Sequence, residues 1–191
     1  MTSKETKKRK IFSTEKIVVM AVFASLAFAV SYLEFPIFPA TPWFKLDVGN
    51  TFIMLVGFLY GPVEGIIVCL CKEALCVLFK SHTAGIGELA NIITMVAYII
   101  LPSIMYKKSR SINTVAIGLS LACIAQTVVA LPVNRFLTYP LYMSENAVAM
   151  FNSTWIYLIL FNLIKAICVT TITLLLYKQL SKTLARFRKD D

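Results

Sequence analysis

The sequence has little of what a soluble enzyme uses. Among its 191 residues there is one histidine, His82, and only ten acidic side chains stand against nineteen basic ones. A lone histidine with no second His or acid at ligand spacing excludes H-E-x-x-H metal chemistry, and no G-x-S-x-G nucleophile turn occurs. The phosphate-cradling pattern G-x-x-x-x-G-K-[ST] is also missing, so any nucleotide-derived energy has to enter through another chain. Cysteine is present but not in the arrangement of a metal site. Cys69, Cys71, Cys76, Cys123 and Cys168 all fall inside apolar runs, and Cys69-x-Cys71 lacks both the two-residue spacer and the second ligand pair of a zinc centre. They read as small packing residues. No catalytic residue, metal or cofactor is expected.

What is abundant is apolar surface. Hydrophobic residues make up 58% of the chain and the mean hydropathy is +0.76, which calls for lipid as part of the solvent. Windows of about 20 apolar residues suffice to cross a bilayer core. Segment 1 runs from about Ile17 to Leu33. It is too long for a signal peptide, has no small-residue cleavage site and is followed by further spans. Pro36, Pro39 and Pro42 then forbid helix between Glu34 and Asp47, which predicts an ordered, aromatic-rich loop. Segment 2, about Val48 to Tyr60, is short for a span. With segment 3, which follows Gly61-Pro62 and ends near Phe79, it forms a tight helical hairpin. Segment 4 covers Ile86 to Lys107, segment 5 about Thr114 to Pro132, and segment 6 about Trp155 to Tyr177. The expected fold is therefore all-α, a single transmembrane domain of six helices over residues 1–191, with an ordered outer loop between helices 1 and 2.

The net charge of +9 does not point to nucleic acid once its placement is considered. Fourteen of the nineteen basic residues fall in three clusters: Lys4, Lys7, Lys8, Arg9, Lys10 and Lys16; Lys107, Lys108 and Arg110; Lys178, Lys182, Arg186, Arg188 and Lys189. Each flanks an apolar run, as cytoplasmic ends do. Both termini are thus expected in the cytoplasm, with basic tails at about 1–12 and 179–191. Lys45, Lys80 and Arg135 are left to the outer loops. The protein is expected in a prokaryotic cell membrane.

Lys72 and Lys165 remain, both inside spans, where a charge costs on the order of 2.5–3.5 kcal/mol and asks for a reason. Lys165 sits halfway along segment 6, with Asn162 three residues earlier on the same face. Gly87, Glu88 and Asn91 repeat the pattern at the outer end of segment 4, and segment 5 ends in Pro132-Val133-Asn134-Arg135. Two explanations compete. The groups either staple the bundle by bonding one another or converge on a ligand with many hydrogen-bonding edges, which the mixture of amides, acid and base favours. Lys72-Glu73 reads differently: neighbours on a helix point about 100° apart, so this pair is assigned to local charge balance. Asn152-Ser153-Thr154 matches a glycosylation sequon but also suits a helix start. Ala21, Ser25 and Ala29 lie at four-residue spacing, a groove of small residues that either packs internally or admits a partner helix.

These residues together resemble the substrate-binding S components of energy-coupling-factor vitamin transporters, in particular their riboflavin-specific branch. The resemblance rests on Leu33-Glu34-Phe35-Pro36-Ile37-Phe38-Pro39, Phe44-Lys45-Leu46-Asp47, Phe58-Leu59-Tyr60-Gly61-Pro62, Gly87-Glu88-Leu89-Ala90-Asn91, Leu141-Tyr142 and Phe161-Asn162-Leu163-Ile164-Lys165. Ser25 departs from the family's usual alanine, and Val48-Gly49-Asn50-Thr51 departs from its usual stretch after the aspartate. The resemblance implies six helices and high-affinity capture of riboflavin from outside. Its implied partners are a transmembrane coupling subunit, met through Ala21, Ser25 and Ala29, and two cytoplasmic ATPases. It also implies a substrate site built from Phe44, Leu46, Asp47, Gly87, Glu88, Asn91, Asn134, Asn162 and Lys165, with the outer loop, including Trp43, as a lid. A thiamine- or pterin-binding S component, a proton-coupled secondary transporter and a purely structural membrane subunit are the competing expectations.

Overall fold

A computed structural model describes residues 13–81, 83–109 and 111–187. Lys4, Lys7, Lys8, Arg9, Lys10, His82, Arg110, Arg188 and Lys189 lie outside these residues. Helix α1 (Thr14–Ser31) begins where the Ser13 hydroxyl accepts a bond from the Lys16 N–H, a capping arrangement that satisfies one free amide of the first turn. It buries Met20, Ala24, Ala27 and Ser31 and leaves Ile17, Val18, Val22 and Leu26 exposed, as a helix facing lipid does.

The proline-rich stretch is ordered, and more so than expected. Strands β1 (Phe35–Pro36) and β2 (Lys45–Leu46) pair antiparallel, Phe35 opposite Leu46 and Pro36 opposite Lys45. Phe38 packs edge-on against Tyr157 of the last helix, ring centroids 5.6 Å apart, which pins the hairpin across the end of the bundle.

Helix α2 (Asn50–Leu59) has ten residues, about 15 Å of rise, too short to cross a bilayer core by itself. Nine of its residues are buried. It turns into α3 (Pro62–Phe79) through Gly61 at φ 124°, a conformation a side chain resists, and Pro62 opens α3 where its missing N–H costs nothing. The hairpin is as tight as the sequence predicts: a Cβ on Gly65 would stand 3.2 Å from the Gly57 Cα.

Helix α4 (Ile86–Lys108) packs against α5 (Ile112–Val133), where Gly118 admits the backbone of Pro102. The predicted end of segment 5 at Pro132 is corrected. The helix passes through Pro132, opens into a π-helical turn at Asn134–Thr138 and closes with α6 (Tyr139–Met143), giving one rod over Ile112–Met143. A proline removes one backbone bond, and the wider turn absorbs the mismatch while rotating Asn134 inward.

Helix α7 (Ala147–Phe187) likewise starts eight residues before the predicted Trp155 and continues past Tyr177. Its sequon residues are helical: Ser153 and Thr154 return their hydroxyls to the Met150 carbonyl at 2.9 and 2.7 Å, which lets polar residues sit in a helix that an apolar window misses.

Six rods result: α1, α2, α3, α4, the α5–α6 rod and α7. Thr14–Ser31, Ile86–Lys108, Ile112–Met143 and Ala147–Tyr177 are long and apolar enough to cross a membrane. Helix α3 has the length but carries Glu64, Lys72 and Glu73. Each is neutralised within the bundle, Glu64 by Lys16 of α1 at 2.6 Å.

Candidate functional site

Where α1, α3 and the hairpin end and α4 begins, a cavity of about 470 Å³ opens into the bundle, within the range that encloses a small organic ligand. Phe44, Asp47, Gly87, Glu88, Asn91, Asn134, Asn162 and Lys165 all line it. Leu46 does not. It is buried, but strand neighbours face opposite ways, so Lys45 and Asp47 point to the cavity and Leu46 away from it.

Sequence reasoning missed Lys72 and Glu73, whose assignment to local balance is too narrow. They do pair, with Lys72 Nζ 2.6 Å from Glu73 Oε1. The same ammonium also donates to Asp47 Oδ2 at 2.5 Å, and the Asn91 amide donates to Glu73 Oε1. Lys165 Nζ then donates to Asn91 Oδ1 at 2.5 Å. The loop before α2 and helices α3, α4 and α7 thus meet in one chain of polar contacts. The signal was available, because the rule that flags Lys165 as an intramembrane charge applies equally to Lys72. A long lysine stem reaches partners on either side of its helix, which an angle between Cβ vectors does not capture.

Two further amides line the cavity. Asn134 donates one N–H to the Ala130 carbonyl at 2.8 Å and Asn162 one to Leu158 at 2.9 Å. Both bonds return to the same helix and fix the rotamers. The oxygen and second N–H of each amide have no protein partner among the described residues, so each side chain presents one donor and one acceptor.

The wall is otherwise aromatic. Phe44 stacks on Phe161, centroids 5.0 Å apart and planes 17° apart, with Trp43, Tyr139 and Tyr142 beside them. At the mouth Glu34 holds Lys45 at 3.2 Å and Lys80 at 2.9 Å, and Glu88 accepts from the Thr83 hydroxyl at 2.9 Å.

Charge in the lining cancels. Glu34, Asp47, Glu73 and Glu88 face Lys45, Lys72, Lys80 and Lys165. Burial alone would raise the Asp47 carboxyl; the Lys72 ammonium, by charge and hydrogen bond, outweighs it. With Lys165 and the Gly49 N–H assisting, Asp47 is held below the usual carboxylate range.

Comparison with known proteins agrees with this geometry. Residues 15–177 match the family described as ECF transporter, substrate-specific component. The chain belongs to this family. Among its relatives, the riboflavin transporter RibU of Staphylococcus aureus (strain TCH60) is 30% identical over 185 residues, covering 94% of this chain and 97% of that protein. The riboflavin transporter FmnP of Bacillus subtilis (strain 168) is 29% identical, covering 87% and 92%. A solved S component of a bacterial ECF transporter superposes with a TM-score of 0.76 at 32% identity, covering 88% of this chain and 96% of that one. This S component is a multi-pass protein of the bacterial cell membrane.

Outside the cavity, Ala21, Ser25 and Ala29 are all exposed on α1. None of the three side chains packs inside the bundle. The Ser25 hydroxyl returns to the Ala21 carbonyl at 2.9 Å, so the serine leaves the groove without a dangling donor.

Proposed function

We propose that this S component captures riboflavin in the cavity and passes it to ATP-driven partner subunits for uptake. The carrying observation is the pairing of two half-free amides, Asn134 and Asn162, with the Asn91–Lys165 contact in a cavity whose charges cancel. Riboflavin is neutral. The pyrimidine edge of its ring offers carbonyl acceptors and one N–H, which an asparagine amide complements with both of its groups. Asn134, Asn162 and Lys165 suit that edge, Asn91, Glu88 and the Gly87 backbone the ribityl hydroxyls, and Trp43, Phe44 and Phe161 the dimethylbenzene end. The relatives named as riboflavin transporters support the same ligand. Riboflavin is cargo here; the role is binding, not catalysis, and needs no cofactor.

Topology follows from charge. Lys16 pairs with Glu64 at the start of α3, and Lys107 lies beside Gly61, so these basic residues gather at the end of the bundle opposite the cavity. Placed by the positive-inside rule, that end and both termini face the cytoplasm and the cavity faces out. The exposed Ala21, Ser25 and Ala29 then offer a close-approach groove to a transmembrane coupling subunit, and two cytoplasmic ATPases supply the nucleotide site that this chain lacks. Release inward requires lower affinity in the partner-bound state.

Protein purified from riboflavin-grown cells is expected to be yellow, with about one flavin per chain. Thiamine and pterins should not displace it, and the phosphorylated flavin should compete at least tenfold less well, because its phosphate meets no surplus cation. A colourless preparation whose fluorescence is unmoved by riboflavin removes the assignment.

A further inference from the structure

Lys72 has no place in the ligand contacts just given, yet it is among the largest fully buried side chains of the molecule, 2% exposed. Its ammonium reaches two carboxylates on different elements. Asp47 Oδ2 lies at 2.5 Å and Glu73 Oε1 at 2.6 Å. Asp47 ends the β1–β2 hairpin, and its second oxygen takes the Gly49 N–H at 2.7 Å, so its position sets where the hairpin enters α2. Glu73 holds the Asn91 amide, whose oxygen in turn holds Lys165. One ammonium is therefore the link between the lid on one side and two ligand-facing groups on the other.

We propose that Lys72 is a positioning residue that couples closure of the β1–β2 hairpin to the orientation of Asn91 and Lys165. The inference rests on the riboflavin reading for its ligand but not for its lid. With Lys72 in place, a hairpin displaced from the cavity has to leave a buried cation short of one of its carboxylates, which low-polarity surroundings penalise. A closed hairpin restores both bonds and with them the Glu73–Asn91–Lys165 line. Lid and site therefore share these bonds, in addition to the Phe38–Tyr157 and Phe44–Phe161 ring contacts that hold the hairpin separately.

The competing role is simple charge balance, and two variants separate the roles. Lys72→Met leaves two carboxylates against Lys165 and is expected to lose riboflavin at least tenfold faster than the wild type. Lys72→Met combined with Asp47→Asn restores neutrality but leaves the link cut. In the double variant, flavin dissociation by stopped-flow fluorescence should remain at least tenfold faster. Backbone amides across 35–47 should exchange hydrogen at least tenfold faster in the ligand-free protein in nanodiscs, with α4 and α5 protection unchanged. Recovery of wild-type dissociation and exchange in the double variant overturns the proposal. If the wild type binds no riboflavin, the flavin reading fails by itself, and the exchange experiment still decides the role of Lys72.

Discussion

At the scale of single residues, the cavity is built from groups whose freedom has been removed in advance. Asn134 and Asn162 each give one N–H to their own helix, so a ligand meets oriented amides and does not have to immobilise them. Asn162→Ala and Lys165→Ala should each weaken riboflavin binding at least tenfold, about 1.4 kcal/mol, measured by quenching of flavin fluorescence; unchanged affinity in both removes these residues from the site. Asp47 makes a different prediction. Because its folded pKa is lowered from 3.8, its ion pair stabilises fully above that value and the contribution drains away as pH falls through the folded value. Thermal melts between pH 7 and pH 3 should show an acid-side loss of stability that is shallower in Asp47→Asn. An equally steep loss in the variant assigns the acid limb to other carboxylates.

At the scale of elements, the short helix α2 explains how a loop residue reaches the middle of the site. Its first residue, Asn50, donates to Asn91 of α4 at 3.4 Å while Asp47 just before it accepts from Lys72 of α3, and the positive end of α2 lies beside the Asp47 carboxylate. Gly49 makes this possible. A Cβ there would stand 2.3 Å from the Ala27 carbonyl oxygen of α1 and 2.9 Å from Asp47 Oδ1, so Gly49→Ala should destabilise by about 1–3 kcal/mol and displace Asp47 together with α1. The check is a lowered melting temperature accompanied by weaker riboflavin binding. A variant as stable and as tight as the wild type shows that α1 and α2 have slack that the packing does not reveal.

At the scale of the whole molecule, the cavity and the exposed small-residue stripe of α1 occupy separate surfaces. The cavity opens at the end of the bundle where α3 ends and α4 begins, while the small-residue stripe runs along the lipid side of α1. Replacing Ser25 with Trp should therefore abolish ATP-dependent uptake in reconstituted complexes and leave riboflavin affinity within about twofold. Retained uptake moves the partner interface elsewhere. Saturating riboflavin at about 100 times Kd should also stabilise the isolated subunit by about 2.7 kcal/mol, in Ser25→Trp as in the wild type.

The spans were legible in the sequence because hydropathy is a local property, and a run such as Trp155 to Tyr177 has to leave water whatever surrounds it. Lys165, Asn162, Glu88 and Asn91 were legible for the same reason: polar groups in an apolar run carry their cost at their own position. Three things waited for the tertiary structure. The π-helical turn after Pro132 carries the rod to Met143 and turns Asn134 inward. Side-chain direction along β2 sends Leu46 away from the cavity while Lys45 and Asp47 line it. The reach of Lys72 joins residues 25 positions back and one forward. The first two depend on backbone conformation that hydropathy does not encode, and the third on which atoms from distant segments stand within three ångströms of one another, a distance set by packing and not by spacing along the chain.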